Sequence, residues 1–268
     1  MLGPQRDRLE LEAAQRAAAL AAAVPVPPLM EEESRLNPTG LRLEDLEQLS
    51  TLGEGTFGRV KLVRAPDGRA FALKLQQKQA IVENGQCSNI MNEKNVMAAL
   101  QHPFILRLEA TFQDRDVLYM LLELVPGGEL FTLLTTNEEG ILGEAHARFY
   151  AAGVIDAFRY SHGKNILYRD LKPENLLIDK WGYIKVVDFG FGKVVPDRTF
   201  TLCGTPDYFA PETVTGKGYD KSVDYWALGV LIYEMLYLPF PPPYFCRNMH
   251  APIVFTLEPP PFTPAYRM

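Results

Sequence analysis

The sequence predicts an α+β fold in which an antiparallel β-sheet comes first and a group of helices follows. Residues 41–75 alternate short apolar runs with turn residues, which is typical of paired strands. After Pro126-Gly127-Gly128 the apolar residues recur with helical spacing instead. The chain has 268 residues, of which 47% are hydrophobic, so it can bury either one large core or the cores of two small lobes.

Turn residues and apolar spacing place the individual elements. The turn Pro66-Asp67-Gly68 lies between two apolar runs and predicts a β-hairpin. A helix that packs on the sheet is predicted over 88–100, and a buried strand over 117–125. The later helices are predicted from 129 onward, the longest of them over 146–162 and 222–236.

Composition divides the chain into four predicted segments. Residues 1–40 form an Ala- and Pro-rich extension, 41–125 a β-rich lobe, 126–236 a helical lobe, and 237–268 a Pro-rich tail of irregular structure. The extension is apolar over 13–28. Because acidic rather than basic residues precede that stretch, a helical or irregular extension is favoured over a targeting signal.

Charge and cysteine content limit the classes of partner. The chain carries 27 basic and 33 acidic residues without a Lys/Arg run, so nucleic-acid binding is not predicted. No run of about 18 apolar residues occurs, so no membrane span is predicted. Cys87, Cys203 and Cys246 lie far apart without disulfide or zinc spacing, which predicts a reducing, cytoplasmic setting.

A glycine-rich stretch lies between the first two predicted strands. Its residues, 53–60, read GEGTFGRV and fit the pattern GxGxxGxV, whose backbone N–H groups can approach phosphates closely. A dinucleotide-binding turn and a plain hairpin turn are the alternatives. Because the stretch is predicted to join two strands rather than a strand and a helix, a hairpin that covers phosphates is favoured.

Lys74 ends an apolar strand and requires a carboxylate if it is to point into a cleft. Glu93, on the predicted helix over 88–100, is the candidate partner, and a surface position is the alternative for it. An ion pair between the two would direct the ammonium group toward phosphate oxygens.

The stretch ILYRDLKPENLLID, residues 166–179, combines an acid, a lysine and an amide. Asp170 is predicted to accept a hydroxyl proton, and Lys172 to neutralise a transferring phosphoryl group. Asp188 follows the apolar run YIKVV, and together with Asn175 it is predicted to offer oxygen ligands to Mg²⁺. This chemistry is transfer of a γ-phosphoryl group from a nucleotide.

The glycine-rich stretch, Lys74, Glu93, YRDLKPEN, DFG and APE occur in the order of the protein kinase signature set, which the chain resembles over about 41–236. PGGEL, HARFYAA and TLCGTPDYFAPE further resemble the cyclic-nucleotide-dependent kinases of the AGC group, with the cAMP and cGMP branches left open. The resemblance implies a two-lobed protein-kinase-like fold, with an antiparallel sheet in the N-lobe, a helical C-lobe, and ATP and Mg²⁺ bound between the lobes.

The resemblance also assigns the ATP site residue by residue. It implies that adenine lies between Ala72 on one side and Leu177 on the other, with Leu122 as gatekeeper. The implied ATP contacts are Leu52, Gly53, Glu54, Gly55, Thr56, Phe57, Gly58, Val60, Ala72, Lys74, Leu122, Glu123, Val125 and Leu177.

Outside the ATP site, the resemblance implies a regulatory threonine and a substrate site. Thr201 matches the activation-loop phosphorylation site, whose phosphate would meet Arg169 and Lys193. Thr205 is implied to brace Asp170 and Lys172. Three acids are implied to bind arginines that precede the target Ser or Thr of basic protein substrates, with a solvated acidic face as the alternative. These acids are Glu129, Glu174 and Glu234.

The sequence departs from the resembled kinases after residue 236, where further helices are implied and a Pro-rich run stands instead. The C-lobe is therefore expected to be incomplete, and Glu212 to lack the arginine that it would meet there. Two hypotheses stay open: a Ser/Thr kinase, or an inactive fragment that binds only nucleotide or a regulatory partner. Because 40 residues are too few for a cyclic-nucleotide-binding domain, such control is expected from a separate regulatory subunit.

Overall fold

The computed structural model describes residues 40–137 and 140–237, so the predicted extension up to residue 39 and the predicted tail after residue 237 lie outside the described residues. An antiparallel sheet of five strands, in the order β1-β2-β3-β5-β4, makes up the first lobe. Its strands are β1 (Glu47–Gly55), β2 (Gly58–Arg64), β3 (Ala70–Gln77), β4 (Leu108–Gln113) and β5 (Val117–Glu123).

Helices dominate the second lobe, which confirms the predicted α+β class. Helices α1 (Lys78–Glu83) and α2 (Cys87–Ala99) belong to the first lobe, and α3 (Leu130–Thr136), α4 (Glu144–Gly163), α5 (Pro211–Thr215) and α6 (Ser222–Tyr237) to the second. Two short antiparallel pairs lie beside them: β6 (Ile166–Leu167) with β9 (Lys193–Val194), and β7 (Leu176–Ile178) with β8 (Ile184–Val186).

The hairpin predicted at Pro66-Asp67-Gly68 joins β2 to β3. Ala65 N–H donates to the Arg69 carbonyl at 2.8 Å, and Gly68 takes the left-handed conformation at a φ of 85° that glycine adopts readily. On β3, Phe71 and Leu73 lie two residues apart and are both buried. This period of two is what an amphipathic strand requires.

Two buried cores result from this arrangement. The smaller one lies within the first lobe and includes Val63, Phe71 and Leu121. The larger one extends from Met97 on α2 and Met120 on β5 into α4 and α6, so it joins the two lobes. The sequence did not predict α1, which has only six residues and no side-chain cap, or β4.

Helix α6 is buried along most of its length in the larger core. Three tyrosines, Tyr225, Tyr233 and Tyr237, form its exposed side. Next to the start of α6, the half-buried Glu212 accepts a hydrogen bond from Ser222 Oγ at 3.1 Å. Within the described residues, the partner of Glu212 is therefore a serine hydroxyl, and the absence of an arginine partner stays a prediction. No helix in the described ranges combines the length and the hydropathy needed to cross a membrane.

Candidate active site

The Asp170 carboxylate, in the loop between β6 and β7, is held by three side chains, two from the same loop and one from the segment after DFG. Thr205 Oγ1 donates to Oδ1 of Asp170 at 2.7 Å, and Asn175 Nδ2 donates to Oδ2 at 3.0 Å. Lys172 Nζ lies 3.3 Å from Oδ2 and also donates to Thr205 Oγ1 at 3.1 Å. The brace implied for Thr205 is therefore present. Asp170 is only 6% exposed, so folding fixes its orientation and places a lysine charge beside it.

Asp224, at the start of α6, holds the backbone of the same loop. Its carboxylate accepts the backbone N–H of Tyr168 at 2.9 Å and that of Arg169 at 2.7 Å, and it contacts His162 Nε2 at 2.7 Å. Arg169 has a φ of 71°, a conformation that costs energy for a residue with a Cβ. The hydrogen bonds to Asp224 offset that cost and keep the backbone before Asp170 in place.

Tyr168 connects the loop to the DFG segment that begins at Asp188. Its hydroxyl donates to the Val187 carbonyl at 2.6 Å, and its ring meets that of Phe189 edge to face at 5.1 Å. Burial, with the charge of Asp188 as the next cause, raises the pKa of Tyr168 well above its ordinary value. The tyrosine therefore stays a neutral donor, and it joins Met97 and Phe189 in the larger core.

The predicted ion pair between Lys74 and Glu93 is present. Lys74 Nζ lies 2.6 Å from Glu93 Oε1, and the glutamate side chain is 5% exposed whereas that of the lysine is 27% exposed. Glu93 is therefore buried rather than at the surface. Because the carboxylate is buried and the lysine is not, the ammonium group keeps donors for a further anion.

Asn175 and Asp188 have free oxygens that suit a hard cation. Asn175 uses its amide nitrogen on the carbonyl and carboxylate of Asp170, which leaves its side-chain oxygen available. Asp188 is exposed, and its Oδ1 accepts only the N–H of Gly190 among the hydrogen bonds of the described residues. Val187 N–H donates to the Asn175 carbonyl at 3.0 Å, which ties the residue just before β7 to the segment that leads from β8 to Asp188. Two oxygen donors fit Mg²⁺, which keeps several waters.

The glycine-rich stretch forms the predicted hairpin between β1 and β2. Gly55 pairs with Gly58 across its end, and both strands belong to the five-stranded sheet. The dinucleotide alternative, which requires a following helix, does not fit. A Cβ on Gly58 would lie 1.9 Å from the Leu75 carbonyl oxygen, so the close packing of β2 on β3 requires glycine there.

Four of the residues expected to contact ATP share one face of the sheet. Val60 lies opposite Lys74, and Ala72 lies opposite Leu122. Cross-strand partners project to the same face, and so do residues two apart on β3. Leu177 lies on β7 in the second lobe, and Val125 follows β5 in the segment between the lobes.

Thr201 lies in a cationic environment. Lys193 Nζ is 3.4 Å from Thr201 Oγ1 and 3.0 Å from Thr199 Oγ1. Arg169 Nη1 donates to the Tyr219 hydroxyl at 3.1 Å, and that hydroxyl donates to the Thr201 carbonyl. Burial, and secondly the charge of Arg169, lowers the pKa of Lys193. Two cations that repel each other next to an exposed threonine suit an added anion.

We use the term acidic cluster for Glu174, Asp207 and Glu234. Glu234 is 5% exposed and accepts a hydrogen bond from the Tyr208 hydroxyl. Burial, together with the charges of Glu174 and Asp207, raises the pKa of Glu234 to about 7. Glu129 is exposed at the start of α3, which packs against the 3-10 helix that carries Glu174.

Sequence reasoning missed three residues of these sites. Tyr208 and Asp207 lie within TLCGTPDYFAPE, which supported the family resemblance without giving a role to either residue. Lys185 on β8 contacts Glu123 at 2.8 Å, and a lysine in an apolar strand gave no signal of a partner 62 positions away. Each of these contacts joins elements that are distant in sequence.

Comparison with known proteins agrees with this geometry. The family described as "Protein kinase domain" matches residues 46–250. The chain belongs to the protein kinase family. Among its kinase relatives, "cAMP-dependent protein kinase type 3" of Saccharomyces cerevisiae is 52% identical over 201 residues, which are 74% of this chain and 50% of that protein.

Two further kinase relatives carry the same type of name. "cAMP-dependent protein kinase catalytic subunit" of Dictyostelium discoideum is 49% identical over 74% of this chain and 31% of that protein. "cAMP-dependent protein kinase catalytic subunit PRKX" of Homo sapiens is 48% identical over 76% of this chain and 57% of that protein. The resemblance to AGC-group kinases is confirmed. The chain spans about half the length of these relatives or less.

Proposed function

We propose that this chain transfers the γ-phosphoryl group of ATP to serine or threonine hydroxyls of proteins, as a kinase of the cAMP-dependent catalytic-subunit type. The observation that carries the proposal is the Asp170 carboxylate, which Thr205, Asn175 and Lys172 hold in one orientation. Such an arrangement matches positioning of a nucleophilic hydroxyl, because phosphoryl transfer depends on orientation and charge rather than on covalent chemistry of the protein.

In the proposed reaction, the substrate hydroxyl oxygen forms a bond to the γ-phosphorus. The bond from that phosphorus to the oxygen bridging the β- and γ-phosphates breaks, and ADP leaves with its electron pair. Asp170 orients the hydroxyl and accepts its proton. Lys172 neutralises charge on the transferring group, and Lys74, held by Glu93, does so on the phosphates that remain with ADP.

ATP is proposed to lie between the lobe of residues 41–125 and that of residues 126–236. Adenine would contact the sheet face that carries Ala72 and Leu122, with Leu177 on its other side, and the glycine-rich hairpin would cover the phosphates. Asn175 and Asp188 would hold Mg²⁺, which supplies charge neutralisation at the phosphate oxygens.

The acidic cluster supports a preference for basic substrates. Its carboxylates Glu174 and Glu234 lie close enough to repel each other, and the buried Glu234 contacts no lysine or arginine within the described part of the chain. A guanidinium group with its planar fork of donors suits such a pair. We propose that these residues, together with Glu129, bind arginines of an Arg-Arg-x-Ser/Thr type of sequence.

Regulation would involve Thr201 and a second chain. A phosphate on Thr201 would be received by Lys193 and Arg169, which would order the segment between DFG and APE. Because several relatives are named catalytic subunits, we propose that a separate regulatory subunit is a further partner.

The proposal is tested by phosphoryl transfer from Mg-ATP to an Arg-Arg-x-Ser peptide. The full chain is expected to phosphorylate the peptide, and Asp170→Asn is expected to lower the rate by about 10²–10⁴-fold, which is the range for loss of a general base. A rate equal to that of wild type in Asp170→Asn would contradict the proposal. Binding of Mg-ATP by a folded chain that transfers no phosphate would instead support the alternative, a fragment that only binds nucleotide.

A further inference from the structure

One small hairpin holds both ends of the segment that joins the lobes. This segment, residues 124–126, is called the hinge below. After the hinge, Gly127 N–H donates to the Ile178 carbonyl at 2.8 Å, and Ile178 N–H donates to the Gly128 carbonyl at 2.8 Å. A Cβ on Gly127 would lie 2.4 Å from the Ile178 carbonyl oxygen, so only glycine allows this approach. Ile178 belongs to β7, so the β7–β8 hairpin holds the far end of the hinge.

At the near end, the same hairpin holds Glu123 through Lys185. The ammonium nitrogen of Lys185 lies 2.8 Å and 3.0 Å from the two carboxylate oxygens of Glu123. The side chains are only 14% and 19% exposed, so water screens this ion pair less than an exposed one. Arg107 N–H also donates to Glu123 Oε1 at 2.7 Å, and Glu123 N–H donates to the Arg107 carbonyl at 3.1 Å. Glu123 is therefore the point where β5, the start of β4 and the hairpin meet.

The ion pair lies next to the proposed adenine site. Lys185 is directly opposite Leu177 in the register of β7 and β8, and cross-strand partners project to the same face. Leu177 is the residue proposed to lie against adenine. Within the described ranges, neither the backbone N–H nor the carbonyl of Val125 has a hydrogen-bond partner. The hinge therefore presents backbone groups that a purine edge can satisfy.

We infer that Lys185 is a positioning residue for the adenine site. Its ion pair with Glu123 fixes the near end of the hinge, so that the backbone groups of Val125 face the base. The inference rests on the proposed function, because it requires a nucleotide between the lobes. It separates two parts of that site: Lys185 acts on the adenine end, whereas Lys74 and the glycine-rich hairpin act on the phosphate end.

The test compares three ligands on the full chain. Lys185→Met is expected to weaken the binding of adenosine and of Mg-ATP by a common factor of about fivefold to tenfold, the size of one lost hydrogen-bonding contact. The affinity for inorganic tripolyphosphate, measured by competition, is expected to stay unchanged. In steady-state transfer, KM for ATP is expected to rise by the same factor while kcat is retained. Lys185→Arg, which keeps the charge and can contact both oxygens, is expected to restore adenosine binding.

Two further variants keep the test decisive. Lys164→Met removes a lysine that lies over the Tyr160 ring, away from the hinge, and is expected to leave all three affinities unchanged. Glu123→Gln is expected to weaken adenosine binding as Lys185→Met does, and the double variant to be no weaker than either single one. If Lys185→Met fails to fold, Glu123→Gln and Lys185→Arg carry the test, the first expected to weaken adenosine binding and the second to retain it.

The possible outcomes separate this inference from the proposed function. A wild-type chain that binds neither adenosine nor Mg-ATP would overturn both. A wild-type chain that binds them, together with Lys185→Met of equal affinity, would overturn only the role of Lys185. Equal weakening of adenosine and tripolyphosphate would also overturn it, because a general disturbance of the whole site, rather than of its adenine end, would then explain the effect.

Discussion

The loop that carries Asp170 and the acidic cluster balance their charges in opposite ways. In the loop, the chain supplies donors for every oxygen of Asp170 and Asp224: hydroxyl, amide and ammonium groups for the first, and two backbone N–H groups and a histidine for the second. In the cluster, Glu234 has a tyrosine hydroxyl, and its neighbours are further acids. Folding alone therefore pairs every carboxylate oxygen of the first region, whereas the buried Glu234 of the second contacts no lysine or arginine among the described residues and has unbalanced charge.

The surroundings of Thr201 resemble the acidic cluster with the sign reversed. Lys193 and Arg169 are close enough that their charges repel, and Lys193 is partly desolvated. Concentrated charge of one sign costs stability in the free protein and is repaid when an opposite charge arrives. Geometry fixed by folding thus accompanies the proposed chemical step, whereas unbalanced charge lies where substrate and phosphate are proposed to bind.

The largest loss of stability is expected from a substitution of Asp224, whose carboxylate holds the loop that carries Asp170. Asp224→Asn is expected to lower the free energy of unfolding by about 3–5 kcal/mol, because it removes one partner of a buried charged network and turns an amide N–H₂ group toward donors. Asp224 is 1% exposed, so solvent does not compensate. Urea denaturation measures the change.

Asp220→Asn is the matched control for this substitution. Asp220 lies four residues earlier, is half-buried, and accepts a hydrogen bond from the Ser222 N–H that asparagine can also accept. Its loss is expected to stay below about 1 kcal/mol. Equal effects of the two substitutions would show that Asp224 is no more important than an ordinary helix-start acid.

The fold was largely predictable because its signals are local. The hairpin turn at Pro66-Asp67-Gly68 and helix α6 over Ser222–Tyr237 follow from turn residues and apolar spacing that a short window contains. The order of strands in the sheet was not predictable in that way. Pairing of β3 with β5 brings together residues 40 to 52 positions apart, and no local rule specifies it.

The candidate site, too, was predictable from the sequence only where its signals are local. The residue types of Asp170, Lys172 and Asn175 were readable because they stand within one short loop, and Lys74 and Glu93 because their chemistry demands a pair. The contact of Tyr208 with Glu234 and that of Lys185 with Glu123 were not readable. Both depend on how separate elements meet, and tyrosine and lysine occur at the surface of many proteins without such a role.

A smaller change, this time a gain in stability, is expected when Thr201 is phosphorylated beside its two cations. A phosphate on Thr201 is expected to raise the free energy of unfolding by about 2 kcal/mol, because it adds charge-assisted hydrogen bonds to Lys193 and Arg169. Thermal denaturation of chains with and without phosphothreonine at position 201 measures the gain.

Lys193→Met sharpens this second prediction. It removes the cation nearest to Thr201 Oγ1, so the gain on phosphorylation is expected to fall by about half. An undiminished gain in this variant would mean that the phosphate binds elsewhere. The cations near Thr201 would then not be a phosphate site, and only the acidic cluster would still link unbalanced charge to binding.

The smallest expected effect concerns the pH dependence of the acidic cluster. Because the pKa of Glu234 is about 7, affinity for an arginine-containing peptide is expected to rise by up to about tenfold between pH 6 and 8, as the carboxyl group ionises. Titrating the peptide at several pH values measures this, and a peptide with alanine in place of arginine serves as control. In Glu234→Gln the affinity is expected to be weak and to vary little with pH.

The stability of the free chain is expected to change with pH in the opposite direction. The pKa of Glu234 is raised above its ordinary value of 4.5, so between about pH 4.5 and 7 the folded state holds more protons than the unfolded state. The contribution of this residue to the free energy of unfolding therefore falls as pH rises through that window, and Glu234→Gln removes the fall.

If wild type and Glu234→Gln had the same pH dependence of both stability and peptide affinity, the charge on Glu234 would not be held for a partner. If the two dependences were found with opposite signs, the same ionisation would weaken the free chain and strengthen its complex, which is what unbalanced charge at a binding site requires.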